Sequence, residues 1–306
     1  MRIVSTHRLP GPAWEELVAA VDVDILDAWP PPEPLLGIEA AIVVSRPVDA
    51  AALELCPDLR LVANYGVGYD SVDVAACAAR GIAVTNTPGV LDAAVADLTL
   101  ALVLAVRRRL VEADAFVRSG EWRDEWILPR VTGEDVSGAT LGIVGLGRIG
   151  GAVARRARAF DMRVLYAQRR RVDTDLAEFR ELDALLAEAD VVSLHVPLTA
   201  ETRGLIDARR LALLHDGAAL VNTARGPVVD EQALVGELVS GRIRAALDVF
   251  TAEPSVPPEL LALPNVVVTP HVGSATTDTR AAMTRLVVDN VLALTLGTPL
   301  VTPVAP

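Results

Sequence analysis

The chain has 306 residues, 52% of them hydrophobic, and this length exceeds the size at which one hydrophobic core usually stops growing, so we expect two domains. Its 28 basic and 40 acidic residues give a net charge of -12, which repels phosphate backbones and anionic membranes and argues against nucleic-acid and membrane partners. The chain contains no lysine, which excludes Schiff-base chemistry on lysine and the lysine-bearing phosphate loop.

The first part of the chain alternates short aliphatic runs with alanine- and leucine-rich stretches. This pattern is typical of βαβ units around a parallel sheet. Candidate strands lie near residues 3–4, 23–26, 41–44, 60–63 and 83–85. We predict a first domain over residues 1–92, completed by residues 275–306, in which a helix over 276–296 crosses back to it.

The next segment is a long alanine- and leucine-rich stretch. We predict a single helix over residues 93–119, ended by Gly120, that serves as a linker or a dimerisation arm. A second series of candidate strands follows near residues 140–144, 163–166, 191–194, 219–221, 245–247 and 266–269. The predicted fold class is therefore α/β, with two doubly wound parallel-sheet domains of Rossmann or flavodoxin type, the second over residues 93–274.

Cysteine use and the first residues bear on the cellular compartment. Cys56 and Cys77 have neither the number nor the spacing of a disulfide framework or a metal site, so we expect buried free thiols and no metal. No apolar signal region follows Met1, and the apolar run over residues 98–106 is too short to cross a bilayer. We therefore expect a cytoplasmic protein.

A glycine-rich turn lies at the start of the second series. Residues 145–150 read Gly-Leu-Gly-Arg-Ile-Gly, directly after a predicted strand and at the start of a predicted helix. In this context Gly145 permits the tight turn, Gly147 lets backbone approach a pyrophosphate, and Gly150 allows close packing of helix and strand. The N–H groups of the first helical turn, near Arg148 and Ile149, attract phosphates. We predict a dinucleotide site here rather than a purely structural turn.

The end of the next strand indicates which nicotinamide cofactor binds. An acidic residue there binds the ribose hydroxyl and repels a 2′-phosphate. This chain has no acid at that place and instead offers Gln168, Arg169 and Arg170, whose donors suit a phosphate monoester. We predict NADPH as the preferred cofactor, with NADH as the second choice. The alternative is a solvated arginine run in a chain without lysine.

Three later segments, at residues 221–226, 247–254 and 269–273, each follow a predicted strand. They contain Arg225, Glu253 and His271. Because residues beyond the carboxyl ends of parallel strands converge on the ligand crevice, these three side chains are candidates for one site. Taken singly, each of them also has a structural explanation.

At this point the sequence resembles the D-isomer-specific 2-hydroxyacid dehydrogenase family over essentially its whole length. The other segments that carry the resemblance are residues 64–73 (Asn-Tyr-Gly-Val-Gly-Tyr-Asp-Ser-Val-Asp), 85–89 (Thr-Asn-Thr-Pro-Gly) and 193–199 (Ser-Leu-His-Val-Pro-Leu-Thr). Within the family the likeness is greatest to glyoxylate and hydroxypyruvate reductases. It implies a substrate domain built from residues 1–92 and 275–306, and a dinucleotide-binding domain over 93–274.

The resemblance implies a role for each candidate. Arg225 would bind the substrate's carboxylate and carbonyl oxygen, aided by backbone N–H groups near Val67 and Gly68. Hydride transfer from nicotinamide leaves negative charge on the carbonyl oxygen, so His271 would donate a proton to it. Glu253 would pair with His271 and favour the charged imidazolium.

The resemblance also implies further cofactor contacts. Asp248 resembles the residue that holds the nicotinamide carboxamide, with a local cap as the alternative, and His195 with Pro197 would lie beside the nucleotide. The other predicted cofactor-binding residues are Val196, Thr202, Thr223, Ala224 and Gly273. Related reductases can extend an aromatic residue into the partner subunit's site, which makes Trp126 a candidate, with an exposed or core tryptophan as the alternative. The resemblance also favours a homodimer.

Two alternatives stay open. The chain is either a reductase of a small 2-keto acid or another dehydrogenase of this family, acting on 3-phosphoglycerate or a bulkier 2-keto acid. A non-enzymatic NAD-binding corepressor shares the fold and normally carries a long disordered tail. We expect the enzyme, because that tail is lacking from this sequence.

Overall fold

The computed structural model describes residues 1–123 and 131–305. The chain forms two compact units, Met1–Leu91 with Ser274–Pro306 and Asp92–Gly273. Each unit has its own parallel sheet with helices between the strands, so the predicted α/β class with two doubly wound domains is confirmed. None of the helices in the described ranges combines the length and apolar character that a membrane crossing requires.

The strands lie close to the predicted positions. Within the described residues, the sheet of the first unit has the order β2-β1-β3-β4-β5, from β1 (Arg2–Ser5), β2 (Asp22–Ile25), β3 (Ile38–Val43), β4 (Leu61–Asn64) and β5 (Ala83–Thr85). The sheet of the second unit has the order β12-β11-β10-β9-β6-β7-β8, from β6 (Thr140–Val144), β7 (Arg163–Ala167), β8 (Glu178–Phe179), β9 (Val191–Leu194), β10 (Ala219–Asn222), β11 (Arg244–Leu247) and β12 (Val266–Val268). Among the strands of the described residues, only the two-residue edge strand β8 was not predicted.

The helices connect these strands along the chain. In the described residues they are α1 (Pro12–Ala20), α2 (Ala50–Glu54), α3 (Val74–Ala79), α4 (Asp92–Arg107), α5 (Leu110–Arg118), α6 (Arg148–Ala159), α7 (Leu182–Glu188), α8 (Ala208–Leu211), α9 (Glu231–Val239), α10 (Pro258–Leu261) and α11 (Thr277–Leu296), with a 3-10 turn at Gly226–Val228. The helices α2, α3, α8, α9 and α11 each begin after an Asp or Thr whose side chain accepts an N–H of the first turn.

The prediction of a single helix over residues 93–119 is wrong. The carbonyl of Arg107 accepts a hydrogen bond from the N–H of Glu134 at 2.8 Å instead of continuing the helix. The Arg107 guanidinium, only 8% exposed, pairs with the Glu134 carboxylate at 3.2 Å. Arg109 then adopts the left-handed conformation, with φ 51°, and pairs with Glu112 one turn further on. A tertiary contact therefore divides the stretch into α4 and α5.

The second unit buries both faces of its sheet, as a parallel sheet requires. One apolar cluster includes Leu185 and Leu186 of α7 and Leu234 of α9. The other includes Val103 of α4 and Val153 of α6. With both faces covered, the carboxyl edge of the strands and the loops that follow them remain as the place for a ligand.

The first unit closes with its own C-terminal helix. An ideal Cβ on Gly11 would lie 2.9 Å from the Cβ of Ala281, so α1 and α11 meet at close range. Beyond α11, the N–H of Val304 donates to the carbonyl of Val84 at 2.8 Å, which adds the last residues to the edge of β5. Buried Asn290 accepts the N–H groups of residues 301 and 302 and fixes this segment.

The two cysteines lie in this unit. Cys56 and Cys77 are both free and buried, as predicted. Burial raises the pKa of the Cys56 thiol, and burial together with the charge of Asp73 raises that of Cys77 to about 11. Both thiols therefore stay protonated at neutral pH.

Candidate functional site

The glycine turn joins β6 to α6 in the second unit. Gly145 has φ 97°, and a Cβ there would lie 2.9 Å from the carbonyl oxygen of His195. A Cβ on Gly150 would lie 2.2 Å from the carbonyl oxygen of Gly145, so only glycine fits at either position. A Cβ on Gly147 would meet nothing within 4 Å. The turn is thus tightly packed on its inner side and open where a ligand would approach.

The surroundings of this turn fit a dinucleotide pyrophosphate. Strand order reverses here, because β7 lies on one side of β6 and β9 on the other, which is the switch point where open α/β sheets bind ligands. The first turn of α6, with exposed Arg148 and partly buried Ile149, presents N–H groups and the positive end of the helix dipole. The open space at Gly147 lies at this helix end.

The end of β7 is tied to the glycine turn. The carbonyl of Ala167 accepts the N–H of Gly145 at 2.9 Å, and the side-chain oxygen of Gln168 accepts the N–H of Leu146 at 3.0 Å. Exposed Arg169 forms an ion pair with Glu201. The exposed residue Arg170 contributes its carbonyl oxygen to a hydrogen bond from the Gln168 amide. Arg169 and Arg170, which we predict to contact a phosphate, therefore directly follow a residue that is bonded to the glycine turn, and Arg169 is paired with an acid.

The loop after β9 contains four predicted cofactor contacts. The backbone of His195 and the side chain of Val196 pack against Gly145, and the carbonyl of Pro197 accepts the hydroxyl of Thr202 at 2.6 Å. Burial lowers the pKa of His195 to about 4, so its ring is neutral, with Nε2 2.8 Å from the hydroxyl of Ser193. A neutral, packed ring fits a position beside a nucleotide rather than in proton transfer.

The loop after β10 carries Arg225. Buried Asn222 accepts the N–H of Ala224 at 3.0 Å and donates to the carbonyl of Arg225 at 3.0 Å, which fixes the backbone of this loop. The guanidinium Nη1 of Arg225 donates to the carbonyl of Ala224 at 2.7 Å. The hydroxyl of Thr223 lies 3.0 Å from that of Thr99 in α4. These contacts hold Arg225 beyond the carboxyl end of the strand.

The loop after β11 lies directly against Gly226. An ideal Cβ on Gly226 would lie 2.0 Å from the carbonyl carbon of Phe250. The N–H of Phe250 in turn donates to Oε1 of Glu253 at 3.0 Å. The backbones that carry Arg225 and Glu253 are therefore in contact through a residue that has no side chain.

Glu253 pairs with His271. Its Oε2 lies 2.7 Å from Nδ1 of the imidazole, which is 42% exposed. Burial would raise the pKa of Glu253, but hydrogen bonds from His271 and the Phe250 N–H, with the positive charges of His271 and Arg225, lower it below its ordinary value. With Nδ1 bonded to a carboxylate, Nε2 is the atom from which a proton can pass to a ligand.

Asp248 organises the loop that contains His271. Its buried carboxylate accepts the hydroxyl of Thr269 at 2.6 Å and the N–H groups of Val272 and Gly273, both at 2.9 Å. Its carbonyl accepts the N–H of His271 at 2.8 Å, and His271 adopts the left-handed conformation with φ 53°. These contacts are those of a local cap, and the predicted hold on a carboxamide stays a prediction.

Val67 and Gly68 belong to the first unit. The amide of Asn64, 2% exposed, donates to the carbonyls of Gly66 at 3.0 Å and Gly68 at 2.9 Å, and the amide of Asn86 donates to that of Val67 at 2.9 Å. Within residues 1–123 and 131–305, the N–H groups of Val67 and Gly68 have no hydrogen-bond acceptor. The loop thus holds its carbonyls inward and leaves two donors for an anion.

The structure brings together Arg225, Glu253 and His271 within one unit. Val67 and Gly68 lie in the other unit, and Trp126 lies outside the described residues. The sequence reasoning missed the positioning residues Asn64, Asn86, Asn222 and Gly226, and the acid Glu201. An asparagine at the end of a strand or directly after it, as at 64, 86 and 222, is the signal that could have found three of them.

Several known proteins are similar to this chain over nearly its whole length. The sequence model of the D-isomer specific 2-hydroxyacid dehydrogenase, NAD binding domain, matches residues 100–273. A glyoxylate reductase from Korarchaeum cryptofilum (strain OPF8) is 45% identical over 310 residues, which cover 97% of this chain and 93% of that protein. The crystal structure of the TT0316 protein from Thermus thermophilus has a TM-score of 0.92 and 45% identity, with 100% of both chains covered. That of an NADPH-dependent glyoxylate/hydroxypyruvate reductase from Sinorhizobium meliloti, in complex with NADP and malonate, has a TM-score of 0.91 and 38% identity, with 99% of this chain and 96% of that chain covered.

Proposed function

Because this chain belongs to the D-isomer specific 2-hydroxyacid dehydrogenase family and is an NAD(P)-dependent oxidoreductase, we propose that it reduces glyoxylate, hydroxypyruvate or a similar small 2-keto acid to the D-2-hydroxy acid. The observation that carries the proposal is the His271–Glu253 pair at 2.7 Å, in the same unit as Arg225 and the glycine turn. The proteins similar to this chain include glyoxylate reductases and an NADPH-dependent glyoxylate/hydroxypyruvate reductase.

Arg225 is the residue that binds and orients the anion. A guanidinium forms charge-assisted hydrogen bonds with a carboxylate, each worth about 1.5–3 kcal/mol when well made. In a chain of net charge -12, such a local cation is needed to capture an acidic substrate. The N–H groups of Val67 and Gly68 are the second set of donors that we assign to the substrate.

His271 is the proton donor. When bound, the nicotinamide dinucleotide supplies the hydride to the keto carbon. His271 gives a proton from Nε2 to the oxygen that gains negative charge, and Glu253 holds the imidazole by Nδ1 and favours its protonated form. General acid catalysis of this kind contributes about 10²–10⁴-fold.

The dinucleotide is held by the glycine turn and the loops around it. Gly147 provides the close approach to the pyrophosphate, Gly145 and Gly150 allow the tight packing of the turn, and the first turn of α6 provides the N–H groups. We assign the 2′-phosphate of NADPH to Arg169 and Arg170, and NADH remains the alternative cofactor. The other contacts are assigned to Gln168, His195, Val196, Pro197, Thr202, Thr223, Ala224, Asp248 and Gly273.

The assembly and the compartment are part of the same proposal. Helix α5 buries none of its residues in the described chain and exposes Leu110, Val111 and Val117. Such an apolar face favours a homodimer. Two buried free thiols fit a reducing cytoplasm.

The proposal is tested by replacing His271 with alanine. Oxidation of NADPH by purified protein is followed with glyoxylate and hydroxypyruvate, alongside binding of the dinucleotide. H271A should lose about 10²–10⁴-fold in kcat and keep the dinucleotide affinity, because His271 serves proton transfer. The matched control is His215→Ala, which removes another exposed histidine near a carboxylate, 3.5 Å from Asp190, and should keep full activity.

Two results would contradict the proposal. If H271A turns over at the wild-type rate, His271 is not the proton donor. If the wild-type protein binds dinucleotide and turns over no 2-keto acid in a panel assayed with both cofactors, a binding role of the corepressor kind replaces the enzyme.

A further inference from the structure

The structure puts an acid next to the arginine assigned to the 2′-phosphate. Glu201, from the loop after β9, forms an ion pair with Arg169, the second residue beyond β7. We infer that Glu201 is a specificity-determining residue that competes with the 2′-phosphate for Arg169 and so moderates the preference for NADPH over NADH. This inference rests on the proposed NADPH site.

The loop that presents Glu201 is closed by hydrogen bonds on both sides of it. The hydroxyl of Thr202 donates to the carbonyl of Pro197 at 2.6 Å and accepts the N–H of Thr199 at 2.8 Å. The N–H of Arg203 donates to the carbonyl of Thr199 at 3.0 Å. The backbone of Glu201 is thus fixed in a tight turn, and its carboxylate reaches Arg169 without any loop movement.

Arg169 is fixed from the other side. Gln168, its neighbour, accepts the N–H of Leu146 in the glycine turn at 3.0 Å and donates to the carbonyl of Arg170 at 2.5 Å. The position of the Arg169 backbone therefore depends on the turn that receives the pyrophosphate. Arg169 and Glu201 meet beside the dinucleotide site, and both belong to the second unit.

The Arg169–Glu201 pair has opposite effects on the binding of NADPH and of NADH. A phosphate monoester would bind the same Arg169 guanidinium that Glu201 already pairs with, and the Glu201 carboxylate repels the phosphate. A ribose 2′-hydroxyl can instead donate a hydrogen bond to that carboxylate, as it does to the acid that commonly follows this strand. The sequence lacks an acid at the end of β7, and Glu201 supplies one from another loop.

The expected size of the effect of Glu201 on nucleotide affinity follows from the solvent exposure of the two side chains. The side chains of Arg169 and Glu201 are 83% and 66% exposed. Exposed ion pairs change an equilibrium by roughly 1.4- to 5-fold, and salt screens them. Glu201→Gln should therefore tighten binding of a 2′-phosphorylated nucleotide by about 2- to 5-fold at low ionic strength, with a smaller gain at high salt.

The test compares two nucleotide probes, 2′,5′-ADP and 5′-ADP, by titration calorimetry on the full-length protein. The variants are Glu201→Gln, Arg169→Gln and the double variant. E201Q should tighten binding of 2′,5′-ADP and leave the affinity for 5′-ADP unchanged or lower. The gain in affinity for 2′,5′-ADP should vanish when Arg169 is also replaced by Gln. The matched control is Glu15→Gln, which breaks the equally exposed Arg8–Glu15 pair of the first unit and should change neither affinity.

The inference is overturned if E201Q leaves the affinity for 2′,5′-ADP unchanged, or raises it equally with and without Arg169. If instead the proposed NADPH site is wrong, Arg169→Gln alone does not weaken binding of 2′,5′-ADP. This result distinguishes the two failures. The ratio of kcat/KM for NADPH and NADH gives an independent reading, and E201Q should raise it. Turnover of the 2-keto acid by the wild-type protein tests the reductase itself separately.

Discussion

Replacing Gly226 with alanine should impair catalysis through backbone displacement alone. The new Cβ would lie 2.0 Å from the carbonyl carbon of Phe250 and 2.4 Å from the nitrogen of Thr251, whereas ordinary contacts begin at 3.4 Å. The two loops must therefore separate by about 1.4 Å, the difference between the first and last of these distances. One loop carries Arg225 and the other carries Glu253. A misplacement of about 1 Å costs roughly 10²-fold in rate, so we expect a loss of about that size in kcat/KM for the 2-keto acid.

The assay must separate misplacement from unfolding. The clash is with backbone atoms, so thermal unfolding and dinucleotide binding must first show that G226A is folded before its rate is compared with that of the wild type. The control is Gly236→Ala in α9, where a Cβ meets nothing within 4 Å and alanine favours the helix. A folded G226A that keeps wild-type kcat/KM would refute the proposed coupling between the two loops.

Three further outcomes follow from the described contacts. Glu253→Gln should lower kcat for the 2-keto acid and leave dinucleotide affinity unchanged, because the amide replaces the carboxylate oxygen that holds Nδ1 of His271 at 2.7 Å; steady-state kinetics beside dinucleotide titration measure both, and an unchanged kcat would contradict the pairing. Burial holds the pKa of His195 near 4 while the unfolded chain titrates near its ordinary value of 6.5, so falling pH should lower the free energy of unfolding between these values by up to about 1.4 kcal/mol per pH unit. In urea titrations His195→Gln should remove that slope and His7→Gln, at an exposed histidine, should retain it. Asn64→Ala leaves two partly buried carbonyls without their donor, so KM for the 2-keto acid should rise about tenfold while dinucleotide affinity stays constant, and equal losses in both would indicate a merely structural role.

The sequence predicted the elements that local patterns specify. Strands such as β6 and β9 are largely apolar runs buried on both sides, and each lies at its predicted place. The break between α4 and α5 carries no glycine or proline signal, because it arises where the N–H of Glu134 takes the carbonyl of Arg107. The edge strand β8 is too short for any periodicity to reveal it.

The candidate site likewise has parts that local sequence patterns predict and parts that they do not. The glycine turn and the Arg225, Glu253 and His271 segments follow strands, and parallel topology predicts that residues after strands converge. The partner of Arg169 could not be predicted, since Glu201 lies 32 residues further along the chain and reaches it only through the folded turn after β9. The need for glycine at 226 likewise depends on where Phe250 passes, which no local pattern specifies.

The first unit is discontinuous, and this affects the order in which the protein can fold as it is made. Helix α1 packs on α11, and β5 borders residues 303–304. Both α11 and residues 303–304 are translated only after the whole second unit. The second unit therefore has all its parts first, while the first unit needs residues that are translated after the second unit. A nascent chain stopped before residue 274 would expose the apolar side of α1, so premature termination should expose the amino-terminal unit to chaperones and proteases.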